Sequence, residues 1–206
     1  MEHLNPKQHW QDVYAKKAET EVSWFQEEPA ASLAFIHRCG AGKDVPIIDI
    51  GGGESRLVDR LLDGGYSDVT VLDLSEHALE HTRRRLGQRA AGVHWLAADI
   101  TRWTPSRQYS LWHDRAVLHF LTGPKQRDSY RSALLAAVQP GGCVVIATFA
   151  LDGPDRCSGL PVVRYSAESL AAELGPELRL AETSGAEHRT PGGSIQRFQF
   201  SRFARV

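Results

Sequence analysis

Apolar positions along the chain switch repeatedly between a helical and an extended period, and the switches predict its elements. Trp10, Val13 and Tyr14 recur at helical spacing behind Pro6, over residues 6–18, and a second helix is predicted to begin near Pro29. The Ile-rich run "PIIDI", residues 46–50, reads as a buried strand, and "SRLVDRLLDGG" follows with Leu57, Val58, Leu61 and Leu62 on one helical face. "DVTVLDL" is predicted as a strand, Ser75 as the N-cap of "EHALEHTRRRLG", Gly87 as its stop, and "VHWLAADI" as a third strand. "YSLWHD" predicts a fourth strand. "PKQRDSYRSALLAAVQ" predicts a helix ending just before Pro140-Gly141-Gly142, and the apolar "CVVIATFA" a fifth strand.

Five strands alternating with helices imply a doubly wound α/β sheet, because parallel neighbours need crossovers. The tail differs. Ser166 caps a helix through Leu174, and "ELRLAETS" and "SIQRFQFSRF" predict two more strands as an antiparallel C-terminal edge hairpin. The expected architecture is one domain over 1–206: an N-terminal helical cover, residues 1–40, on a seven-stranded, mostly parallel core, residues 41–206. "LDGPDRCSGLPVVR", residues 151–164, is the longest irregular stretch and reads as either a lid or a plain connection.

Charge narrows the partners. With 24 basic and 25 acidic side chains and a net charge of −1, the chain shows no electrostatic footprint for nucleic acid or an anionic membrane. The longest apolar stretch, residues 144–151, is far below the roughly 18 residues of a membrane-spanning helix. "MEHLNPKQHWQDVY" lacks a secretory pattern. Three cysteines without a CxxC pair argue against a disulfide scaffold and a cysteine-rich zinc site, so reduced thiols and a cytoplasmic setting are expected.

The candidate chemistry sits where strands end. "DIGGGESR" joins the first predicted strand to a helix, and Asp73, Asp99 and Asp114 also fall at strand ends, the side on which open α/β sheets bind ligands. Asp73 comes about 20 residues after the turn, where a carboxylate accepts hydrogen bonds from ribose hydroxyls. No Walker lysine follows the glycines, which disfavours a nucleoside triphosphate. Arg56 occupies the third glycine position of G-x-G-x-x-G, which disfavours a dinucleotide.

"DIGGGES" followed by Asp73 and Asp99 resembles the class I S-adenosylmethionine-dependent methyltransferases, although Ser55 replaces the last glycine of their usual G-x-G-x-G. "HWQDVYAKK", "VSWFQEEPAASL", "WHDRAVLHFL" and "VQPGG" resemble the same family in order and extend the likeness over most of the chain. The resemblance implies a Rossmann-like sheet, S-adenosylmethionine as cofactor and S-adenosylhomocysteine as product. It implies that Gly51, Gly52 and Gly53 approach the methionine part, Asp73 and Leu74 the ribose, and Asp99 and Ile100 the adenine. Asp114 and Arg115 would flank the cofactor. Trp10, Tyr14 and Trp24 either cover it or pack the N-terminal helix. The Asn/Asp-Pro-Pro-aromatic run of amino-adenine methylation is absent from "HDRA", so no nucleic-acid acceptor is expected.

Methyl transfer mainly demands alignment, but a base helps a protonated acceptor. His119 is the first candidate, with His113 and Asp114 beside it; His188 and the 157–161 loop are further candidates to enclose the acceptor, against a plain solvated loop. The acceptor is expected to be a small molecule offering nitrogen, oxygen or sulfur, with a protein lysine as alternative and a non-catalytic binding module as another. "HALEH" matches H-x-x-E-H through His77, Glu80 and His81, a zinc-peptidase pattern. Its surroundings are so polar that a solvated helix is favoured over a metal.

Overall fold

The computed structural model describes residues 5–206, so the first four residues of the expected cap lie outside the described residues. Strand β1 (Ile47–Ile50) is central and wholly buried, as its apolar run predicts. β2 (Val69–Asp73) and β3 (Val93–Ala97) extend the sheet on one side, and β4 (Tyr109–Arg115) and β5 (Val138–Phe149) on the other, all parallel. A small separate hairpin, β6 (Arg156–Cys157) with β7 (Leu160–Pro161), follows. β8 (Leu178–Arg189) and β9 (Ile195–Arg205) complete the order β3-β2-β1-β4-β5-β9-β8. β9 is the antiparallel strand, inserted between β5 and the β8 edge.

Side-chain alternation along the strands assigns the two faces. Ile47, Val69, Val71 and Leu111 pack with α2 (Ala30–Arg38), α3 (Leu57–Asp63) and α4 (Glu76–Leu86), beyond the N-terminal α1 (Pro6–Lys16). Ile48, Ile50, Trp112 and Ile146 pack under α5 (Pro124–Ala137) and α6 (Ala167–Leu174). Local signals hold the termini. Asn5 accepts from the Lys7 amide ahead of Pro6, Ser75 from Ala78, and Ser166 from Ser169.

Three expectations change. Helix α5 stops at Ala137, earlier than the Pro-Gly-Gly signal implied: buried, β-branched Val138 already pairs with Tyr109, and residues 139–142 are absorbed in an irregularity before Cys143 pairs with Leu111. The 151–164 stretch is not wholly irregular, since Ser158 and Gly159, both at positive φ, turn the β6–β7 hairpin. Cys39 and Cys143 are joined in a disulfide between the end of α2 and β5, which corrects the expectation of three reduced thiols and removes the basis for a reducing compartment. Among the described residues no helix is long and apolar enough to cross a membrane.

Candidate active site

The sheet order reverses at β1, which has β2 on one side and β4 on the other, and the β1 turn opens into a cavity of about 330 Å³. Ligand clefts in α/β folds lie at such switch points and span a few hundred Å³, roughly 300–1,000. The turn is pulled under β2: the Gly51 amide donates to the Leu72 carbonyl at 2.7 Å. Gly51 and Gly53 adopt positive φ. A Cβ on Gly51 would stand 2.1 Å from Val117 Cγ2, and one on Gly53 would lie 2.8 Å from Asp73 Oδ2 and 3.0 Å from Tyr14 Oη.

The cavity has two ends. Asp73, Leu74, Asp99 and Ile100 line the end at the tips of β2 and β3. Asp73 Oδ1 accepts from the Ser75 amide at 2.7 Å, while burial, aided by Asp49 and Glu54, raises its pKa to about 7. Asp99 turns one oxygen back onto Thr101, accepting from both its amide and hydroxyl. Opposite, at the tips of β4, β5 and β9, Arg115, Phe149, Cys157, Gln196 and Phe198 line the other end, and the β6–β7 hairpin closes it with Leu160 and Pro161.

Helix α1 roofs both ends. Trp10 and Tyr14, one turn apart, face the cavity, and Trp24 meets them edge-on at centroid distances of 5.6 and 6.0 Å. Phe120 joins Trp10 at 5.0 Å. Twelve of the residues expected at the cofactor, Trp10, Tyr14, Trp24, Gly51, Gly52, Gly53, Asp73, Leu74, Asp99, Ile100, Asp114 and Arg115, thus divide unevenly. All but Gly52, Gly53 and Asp114 line this cavity; Gly52 lines a water-sized recess of about 50 Å³ beside it, and Gly53 packs against Asp73.

The three candidate bases are corrections. Asp114 is fully buried, and its carboxylate accepts from the amides of Val117 and Leu118 and from Tyr130 Oη. It caps the turn after β4 and touches neither end of the cavity, because its place in the strand directs it, with Trp112, towards α5. His113 points to the opposite face, where both ring nitrogens are engaged: Nδ1 lies 2.7 Å from Asp49 Oδ1 and Nε2 2.9 Å from Ser32 Oγ. Asp49 Oδ2 in turn abuts Gly52, so the buried chain braces the glycine turn. His119 is fully buried between Phe120 and Phe149, and burial, reinforced by Arg115, drops its pKa to about 3. It is too weak a base at neutral pH and does not line the cavity.

The residues of "HALEH" are engaged elsewhere. Glu80 pairs with Arg83 and Arg84, while His81 Nδ1 lies 2.6 Å from Glu54, against a ring contact with His77. Among the described residues no three His, Cys, Asp or Glu side chains converge as metal ligands. His188 Nε2 donates to the Ser23 carbonyl, 2.8 Å away, and the residue stays outside the cavity. Sequence reasoning missed Phe149, Gln196 and Phe198. The last two share one face of β9 by simple alternation, but which face meets the cavity depends on β9 pairing with β5.

Residues 47–142 match a family described as methyltransferase domain. The match covers just under half of the chain. A mouse eEF1A lysine and N-terminal methyltransferase is 24% identical over 149 residues, 68% of this chain, and the chain spans only 21% of that relative's length. The solved structure concerned with conversion of a disulfide bond into a thioacetal group during echinomycin biosynthesis is similar over 98% of this chain and 93% of its own, with TM-score 0.79 at 20% identity. The N-methyltransferase NodS from Bradyrhizobium japonicum, solved with S-adenosyl-L-homocysteine, matches over 98% and 99% with TM-score 0.73 at 16% identity. At these identities the likeness is one of fold alone. The residues present fit S-adenosylmethionine, the cofactor that the sequence resemblance implies: a glycine turn whose added Cβ atoms would collide, a carboxylate at the tip of β2, and an apolar slot bounded by Leu74 and Ile100.

Proposed function

We propose that the protein transfers the methyl group of S-adenosylmethionine to nitrogen, oxygen or sulfur of a small-molecule acceptor. The observation that carries this reading is the single cavity with two chemically different ends. Asp73 and Asp99 serve the nucleoside end, and aromatic side chains with a few polar atoms enclose the other. S-adenosylmethionine supplies an electrophilic methyl carbon. The chain's own contribution is to hold donor and acceptor in line and exclude water, which the roof of Trp10, Tyr14 and Trp24 and the β6–β7 hairpin provide.

Among the described residues, no side chain lining the acceptor end or its roof is a base at neutral pH. Burial raises the Cys157 thiol to about 11, holds Tyr14 well above its usual range, and leaves Arg115 protonated with its pKa lowered only to about 10. The acceptor atom therefore arrives already deprotonated, as in a thiolate, a carboxylate or a neutral ring nitrogen.

A protein-lysine acceptor is the second reading, supported by the 24% identity to the mouse enzyme. Labelled S-adenosylmethionine offered with separated small-molecule and protein fractions of a lysate distinguishes the two. Label in small molecules, with formation of S-adenosylhomocysteine, is expected. Label confined to protein lysine establishes the second reading, and donor binding without any product makes the protein a binding module.

A further inference from the structure

At the acceptor end the structure places a cation that, among the described residues, has no carboxylate in ion-pair contact. The Arg115 guanidinium stacks 4.6 Å over the Phe198 ring, and its Nη1 donates to the Trp24 carbonyl at 3.2 Å. Nη2 is buried and has no hydrogen-bond partner, and among the described residues no carboxylate lies within ion-pair distance of Arg115. The nearest candidate by sequence, Asp114, is occupied by two amides and a tyrosine hydroxyl. Every acidic residue lining the cavity, Asp73 and Asp99, belongs to the nucleoside end. A buried cation with an idle donor carries an unmet desolvation cost, which an incoming anion would offset.

A second residue lining the same cavity carries an unpaired polar group. Gln196 is 8% exposed, lines the cavity and leaves Oε1 without a partner. Phe149 and Phe198 form the apolar wall. We propose that this end of the cavity is a binding subsite for a small aromatic carboxylate, whose anionic group Arg115 holds through Nη2 while the ring lies against Phe149 and Phe198 and a donor group meets Gln196. The proposal rests on the methyltransferase reading and specifies its acceptor class. It also opposes a lysine acceptor, since an ammonium group here would face an uncompensated guanidinium. Burial lowers the Arg115 pKa to about 10, an effect that Cys157 and the carboxylate of Asp49 offset only in part.

Calorimetry on the full chain saturated with S-adenosylhomocysteine tests the subsite with three probes of one shape: 1-naphthoate, 1-naphthamide and 1-naphthylmethylamine. Naphthoate is expected to bind about tenfold or more tighter than the amide, and the amine weakest. Arg115→Gln should erase that preference while S-adenosylhomocysteine affinity stays within about threefold, and Arg115→Lys should retain part of it. Gln196→Glu, which adds a competing carboxylate without touching Arg115, should weaken naphthoate about tenfold and provides a second route if the Arg115 variants do not fold.

Naphthoate binding no tighter than naphthamide, or not at all, overturns the proposal. So does an Arg115→Gln protein that keeps the preference but loses S-adenosylhomocysteine affinity, which would assign Arg115 to the donor. Failure of the unaltered protein to bind S-adenosylhomocysteine counts instead against the methyltransferase reading itself.

Discussion

On the proposed reading, Asp73 combines two roles that pull its proton in opposite directions. Burial favours the neutral acid and places its pKa near 7, whereas hydroxyl donors from a ribose favour the carboxylate. Binding of S-adenosylhomocysteine should therefore release a proton near neutrality. Affinity should rise with pH up to about 7, by at most about tenfold per unit, and level off above it. Asp73→Asn removes the titration, so its calorimetric affinity should be weaker, by about 1–3 kcal/mol, and flat between pH 6 and 8. A retained pH slope in that variant would assign the titration elsewhere. The same shift affects the apo fold: a raised acid pKa stabilises below the unfolded value near 4, and that contribution is lost as pH rises through 7.

The place of Asp73 at the tip of β2, lining the cavity, was legible in the sequence, because a carboxylate closing a strand after a glycine turn falls where open sheets bind ligands. His113, Asp114 and His119 were misread for one reason. Their positions at the end of a strand were visible, but the face each side chain takes and the partners it meets there, Asp49 with Ser32, Tyr130, and two phenylalanines, come from distant parts of the chain.

Among the elements, α1 is the one whose purpose the hydrophobic pattern left open between cover and packing. Trp10 is only half-buried and borders the cavity rather than the main core, so removing it should affect ligand more than fold. Trp10→Ala is expected to weaken S-adenosylhomocysteine binding about tenfold, in keeping with an aromatic contact of roughly 0.5–1.5 kcal/mol plus lost apolar area, with little change in melting temperature. Unaltered affinity together with a lower melting temperature would instead make α1 a packing helix. The β6–β7 hairpin illustrates the opposite limit. Its Ser-Gly turn is written locally, yet its place over the acceptor end follows from where β5 releases the chain.

Across the whole molecule, the Cys39–Cys143 disulfide ties α2 to β5 over a sequence separation of 104. Closing so long a loop restricts the unfolded chain strongly, and reduction is expected to cost about 2–4 kcal/mol. Thermal unfolding with and without dithiothreitol measures this, and a Cys39→Ser, Cys143→Ser protein should melt like the reduced form and be insensitive to reductant. Identical melting of oxidised and reduced protein would show that the link adds nothing.

The alternation of short apolar runs with amphipathic helices determined the α/β class, the parallel core and the position of the glycine turn with Asp73 at the cavity, because each of these follows from local periodicity and from residues adjoining a strand tip. Even the antiparallel tail was readable, since two successive strands without an intervening helix can pair only as a hairpin. Which cysteines meet, where α5 yields to β5, which face of β9 turns inward, and the company Arg115 keeps were decided by tertiary packing. Those features join residues far apart in the chain, and no local period records the pairing that brings Phe198 beneath Arg115 or Gln196 into the same cavity.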